Sequence, residues 1–151
     1  MRLRLRSPFR HPFYPGFAVT PAAECTGLCA SLSGTFHELT RAAAAGARAR
    51  RMIFALHYPG TPLLNEGDRD ELWHAFQVPV LAVLLDHDGR LLAYECEAQS
   101  GLHVEADAWW SAGVLESAPC ECGRPGLRLV LAARNPARAA QTAVPSVFSA
   151  A

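Results

Sequence analysis

Three cysteines and one histidine in the middle of the chain are the residues best suited to chemistry. Cys96 and His103 lie in YECEAQSGLHV, and Cys120 and Cys122 in APCECGRPG. Thiolate sulfur and imidazole nitrogen are donors that a tetrahedral zinc ion prefers, at about 2.0–2.3 Å from the metal. The six residues between Cys96 and His103 are enough for the chain to turn back, through Ser100-Gly101. In an extended Cys-x-Cys segment both side chains point the same way, so Cys120 and Cys122 can grip one ion. Gly123 and Pro125 supply the tight turn such a knuckle needs. Four protein donors fill a tetrahedron, and a closed site is structural, whereas catalytic zinc keeps a position for water or substrate. The expected cofactor is therefore one structural zinc on Cys96, His103, Cys120 and Cys122, with no catalytic residue assigned. Such binding supplies on the order of 10 kcal/mol, comparable to the whole stability of a domain this size.

Composition narrows the function classes. A chain of 151 residues suits one domain with one core. Its 14 basic and 14 acidic residues cancel, which argues against nucleic acid as a partner. Every basic residue is arginine, which excludes mechanisms that need a lysine of this chain, such as a Schiff base or a Walker phosphate site. Five cysteines are an odd number and two are one residue apart, which suits metal binding in a reducing compartment better than a disulfide framework. No run approaches the roughly 18 apolar residues of a membrane helix, and MRLRLRSPFRHPF lacks a signal-peptide core. The expected setting is cytoplasmic, away from membranes.

The ligands must be positioned by a fold. Residues 1–33, rich in Pro, Gly and aromatics, read as a basic arm carrying Arg2, Arg4, Arg6 and Arg10. Cys25 and Cys29 would share a face if helical, although Gly27 weakens that helix. Thr35 and Glu38 form a capping box that opens a helix reaching to about Arg51. MIFALH (52–57) reads as a buried strand and YPGTP as a loop. Asp68 and Glu71 mark a second helix, DRDELWHAF, with Leu72, Trp73 and Phe76 able to face the core. VPVLAVLL is a strand, DHDG a hairpin turn, and RLLAYEC its return strand. Asp86 and Asp88 are turn residues before they are cation ligands. Short strands follow near GLHV and LRLVLAA. His37, His57, His74 and His87 are scattered; His57, at a strand end, is the one placed where catalytic groups occur. Trp109 and Trp110 are a candidate contact surface. The domain organisation expected is an arm (1–33), a zinc-stabilised α/β domain (34–134) and a flexible tail (135–151).

Three segments then carry a family likeness. GTPLLNEGDRDELWHAFQVPV, AYECEAQSGLHV and CECGRPGLRL, spanning roughly residues 58–129, resemble the phenylacetate–CoA ligase family of adenylate-forming enzymes. The resemblance implies an α/β fold, here a small sheet with flanking helices and a zinc-knuckle loop, like a fragment of the ligase N-terminal domain. It also implies the same four metal ligands, because matching positions hold a structural zinc in some members. The departures bear on activity. The family carries a Tyr-Gly-x-Ser/Thr-Glu motif where this chain has LLDHDGR, and its phosphate loop and ribose-binding Arg-x-x-Asp segment have no counterpart here. A C-terminal lid domain with its lysine is likewise not expected. The function expected is a non-catalytic zinc-binding module derived from such a ligase, acting on a protein partner or as a homo-oligomer. The alternative is a split subunit of an acyl–CoA ligase that adenylates a carboxylic acid together with a partner chain.

Overall fold

The computed structural model describes residues 10–105 and 113–131. Its strands are β1 (Val19–Pro21), β2 (Leu28–Gly34), β3 (Arg48–His57), β4 (Val80–Leu85), β5 (Leu91–Glu95), β6 (Leu102–Val104), β7 (Gly113–Glu116) and β8 (Arg128–Leu131). Helix α1 (Phe36–Ala44) joins β2 to β3, and α2 (Glu66–Phe76) joins β3 to β4. One eight-stranded sheet results, in the order β1-β2-β3-β4-β5-β6-β8-β7. Neighbours from β1 to β4 are parallel, and those from β4 to β7 antiparallel. The architecture is α/β, as expected, but the sheet is larger than a small one with helices to either side.

Both helices lie on one face. Leu39 and Ala42 of α1 and Leu72 and Phe76 of α2 pack with Leu32, Ile53, Ala55 and Val80 of the sheet. Side chains alternate along a strand, so Met52, Phe54, Leu81, Val83 and Tyr94 face the other way. There they meet Phe13, Tyr14 and Phe17. The segment read as an arm thus supplies two strands and the aromatic cover of one sheet face. His11 within it is fully buried. Residues 1–9, 135–151 and the Trp109-Trp110 pair lie outside the described residues.

Local chemistry explains where each element begins and ends. Thr35 caps α1 in a capping box with Glu38, as its spacing predicts. The helix stops well short of Arg51: Gly46 takes φ +97, and β3 begins at Arg48. The missed signal is Ala47-Arg48-Ala49-Arg50, which alternates with period two. Ala47 and Ala49 are buried and the arginines exposed. Helix α2 starts before Asp68. Asn65 is its cap and Asp68 completes the reciprocal box, with Asp68 N–H donating to Asn65 Oδ1 over 2.6 Å. Leu72 and Phe76, one turn apart, take the core side, and Trp73 stays 45% exposed rather than facing the core. The DHDG turn behaves as a turn: the Asp86 carboxylate accepts the backbone N–H groups of Asp88 and Arg90 at 2.9 and 2.7 Å.

Candidate metal centre

The antiparallel half of the sheet gathers the four predicted ligands. Cys96 follows the last residue of β5, and His103 is the middle residue of β6. Tyr94 and His103 are register partners, so the pairing of β5 with β6 brings His103 beside the end of β5 that leads into Cys96. The turn between them needs Gly101 at φ +116, where an added Cβ would sit 3.1 Å from the Leu129 carbonyl oxygen. Cys120 and Cys122 come from the loop between β7 and β8. That loop is not extended: Gly123 N–H closes a turn on the Cys120 carbonyl at 2.9 Å, with Gly123 at φ +83.

All four donor atoms lie within 4.8 Å of one another. Cys96 Sγ is 3.6 Å from Cys120 Sγ, and Cys122 Sγ is 3.5 Å from His103 Nε2. A disulfide would bring two sulfurs to about 2.05 Å. Ligands around one tetrahedral zinc stand about 3.8 Å apart sulfur to sulfur and about 3.5 Å sulfur to nitrogen. The two short edges of this cluster match those of such a tetrahedron. Cys96, His103 and Cys120 are buried and Cys122 is half-buried, so the four residues form a compact group able to hold a metal ion.

The surroundings orient the donors. Ser100 Oγ lies 3.5 Å from Cys120 Sγ, and Arg124 N–H points at Cys122 Sγ over 3.5 Å. Arg128, almost fully buried, donates to the Ser100 carbonyl at 2.6 Å and to Ser100 Oγ at 3.2 Å. It also donates to the Ala118 carbonyl at 3.3 Å and reaches Glu116 at 3.4 Å, so one guanidinium ties the Cys96–His103 turn to the Cys120 loop. Burial pushes the Cys96 thiol up to about 12. Burial acts upward on Cys120 too, but its hydrogen bonds to Ser100 and to the Cys122 segment outweigh it and bring that thiol down to about 6. Metal binding needs thiolates, and the hydrogen bonds at Cys120 act in that direction.

The sequence reading missed the cover over this group. The Phe13 ring meets His103 edge-on, with centroids 4.8 Å apart, and Arg124 stacks on the outer face of Phe13 at 4.0 Å. Arg124 pairs with Glu97 at 3.0 Å, and Tyr14 O–H donates to Glu97 over 2.7 Å. The Tyr14 hydrogen bond, with Arg124 beside it, holds the Glu97 carboxyl down at about 2. The available signal was aromatic density in HPFYPGF, which has no periodicity and therefore reads as loop.

Other singled-out residues do not join the centre. Cys25 and Cys29 are not on a helix; they are paired as a disulfide that joins the turn after β1 to the start of β2. Asp86 and Asp88 serve their turn. His57 is buried, and Nδ1 lies 3.2 Å from the Pro62 carbonyl. A carbonyl only accepts, so Nδ1 carries the proton, and Nε2 has no hydrogen-bond partner. An open groove of about 470 Å³ is lined by Glu66, Arg69, Asp70 and Trp73 of α2, Val80 of β4 and Gln99.

No family model matches the chain, and no curated protein matches it in sequence. Among solved structures it is similar to 2-hydroxyisobutyryl-CoA ligase, captured in an open conformation with 2-HIB-AMP and CoA, at a TM-score of 0.50 and 13% identity. The likeness covers 67% of this chain and 32% of the ligase, so this chain corresponds to about a third of that enzyme's length. At that identity the likeness is one of fold.

Proposed function

From a ligase-like fold fragment carrying a Cys/His cluster, we propose that this protein is a zinc-stabilised, non-catalytic module derived from the phenylacetate–CoA ligase branch of the adenylate-forming enzymes. The observation that carries the reading is the four-donor group, with ligand atoms within 4.8 Å of one another. Three thiolates and a neutral imidazole would complete a tetrahedron around zinc with no position left for substrate. Three thiolates on a divalent ion leave one excess negative charge, and the buried Arg128, one serine away, is placed to offset it. Zinc here would supply folding energy, joining the β5–β6 turn to the β7–β8 loop and the Phe13 cover. Function would then reside in binding a partner protein or a second copy. The groove beside the exposed Trp73 and the Trp109-Trp110 pair are the surfaces proposed for it.

The test is metal content of protein purified without added metal, with thermal melts before and after chelation. About one zinc per chain is expected, with cooperative unfolding lost or strongly lowered once it is removed, because structural zinc supplies energy on the scale of the fold itself. The Cys120→Ser, Cys122→Ser double variant should bind no zinc and melt like the chelated protein. Equal melting of variant and parent would remove the structural-zinc reading. Formation of acyl-adenylate from ATP and a carboxylic acid by the isolated chain would remove the non-catalytic one.

The correspondence to only 32% of a ligase chain favours one alternative, a split subunit of an acyl–CoA ligase. It predicts acyl-CoA synthesis on mixing with a chain that supplies the nucleotide-binding motifs. A mixture that makes none counts against it.

A further inference from the structure

We propose that Cys25 and Cys29 form a thiol–disulfide exchange site whose substrate is a low-molecular-weight thiol and its disulfide, separate from the Cys96–Cys120–Cys122 cluster. The chain holds its cysteines in two chemical states at once. Cys25 and Cys29 are joined, whereas Cys96, Cys120 and Cys122 are in no disulfide. Two features set the joined pair apart from a structural staple. Its ring spans only four positions, and cross-linking stabilises least where the loop is shortest. It is also reachable. Both cysteines are half-buried, Thr26 and Leu28 are exposed, and a Cβ built on Gly27 meets nothing within 4 Å.

The backbone holds the two residues in place without the sulfur–sulfur bond. Cys25 N–H donates to the Ala22 carbonyl at 3.3 Å, and the Gly27 carbonyl accepts Arg48 N–H at 2.8 Å. Leu28 and Cys29 pair with Arg48 and Ala49 of β3, and the ladder shifts register only beyond Cys29. The Cα atoms stand 6.5 Å apart, inside the range a disulfide spans. A reduced pair therefore stays poised to close again. Both side chains touch the helix-side core from its rim, so opening the bond leaves that core intact.

The exchange balances in two steps. A thiolate of the small thiol attacks one Sγ, the Cys25–Cys29 bond breaks, and a mixed disulfide and a protein thiolate form. A second small thiolate attacks the mixed disulfide, releasing the small-molecule disulfide and the second protein thiolate. The two protons brought by the small thiols end on Cys25 and Cys29. The reverse sequence oxidises the pair and reduces the small-molecule disulfide.

The experiment equilibrates the full chain in reduced and oxidised glutathione at a series of ratios. Free thiols are trapped by alkylation, and the peptide holding Cys25 and Cys29 is weighed. That peptide should pass from doubly alkylated to unlabelled over about a hundredfold change in the ratio of squared thiol to disulfide, as a two-electron couple requires. Circular dichroism should show the folded signal throughout. A peptide unlabelled at every ratio, one labelled at every ratio, or loss of the folded signal on reduction would each overturn the proposal. The readout uses only this peptide, so it stands whatever metal the other cluster holds.

Discussion

Arg69 and Glu95 show how a single pair can control a ligand-bearing strand. Glu95 is 3% exposed, next in sequence to Cys96, and Arg69 of α2 meets both of its carboxylate oxygens. Burial pushes the Glu95 carboxyl up, and the Arg69 charge and hydrogen bonds pull against that. Removing the arginine would strand a carboxylate in the interior, which typically costs about 3–5 kcal/mol. Arg69→Met should lower unfolding free energy by that order in a denaturant titration. Arg69→Met with Glu95→Leu should recover much of the loss, since no buried charge then remains. A single variant as stable as the parent would mean that the carboxyl is held neutral. The pairing was hidden in the sequence because the two residues lie 26 positions apart and read as ordinary surface charges.

Among the elements, the junction of β2 and α1 is closely packed. A Cβ added to Gly34 would sit 3.2 Å from Ala22 Cβ and 3.3 Å from Glu38 Cβ. Both neighbours are fixed, Ala22 in the turn after β1 and Glu38 in the capping box of α1. Gly34→Ala should therefore cost about 1–3 kcal/mol, as overpacking does, read as a lower denaturation midpoint with unchanged slope. An unshifted midpoint would show that the Ala22 turn gives way. The capping box of α1 was readable at Thr35-Glu38, whereas that of α2 sits at Asn65-Asp68, three positions before the Asp68-Glu71 signature that marked the helix in the sequence. The end of α1 was not, because Arg and Ala are good helix formers. Pairing of Arg48 and Ala49 with β2 overrode that propensity.

At the scale of the whole molecule, buried histidines tie stability to acidity. Burial brings His57 down from 6.5 to about 4, and His11 likewise. For His11, Phe13 N–H donates to Nδ1 at 3.1 Å and Nε2–H donates to the Glu95 carbonyl at 2.7 Å, so both nitrogens serve the neutral ring. A depressed folded value means that the unfolded chain binds the proton first. Stability is full above about pH 6.5, falls as pH drops toward 4, and levels below it. Each histidine contributes on the order of 3 kcal/mol to that loss. Glu95 runs the other way, since its raised value favours the fold on acidification. His57→Asn, whose amide can replace Nδ1–H toward Pro62, should reduce the pH slope in this window by about one proton. An unchanged slope would place the dependence elsewhere, in the metal ligands above all.

The sequence by itself determined which residues could bind a metal, because donor chemistry is a property of residue type and Cys96, His103, Cys120 and Cys122 are close in number. It determined the alternation of helix and strand from Thr35 to Glu95 for the same reason: capping and periodicity are local. Tertiary structure decided the rest. It drew β1 and β2 into the sheet as parallel strands, a pairing no local pattern announces. It laid Phe13 and Arg124 over His103 and joined Arg128 to Ser100, contacts spanning 28 to 111 positions that arise only when the sheet closes. It also turned Cys25 and Cys29 toward each other, because β2 fixes one and the Ala22 turn fixes the other.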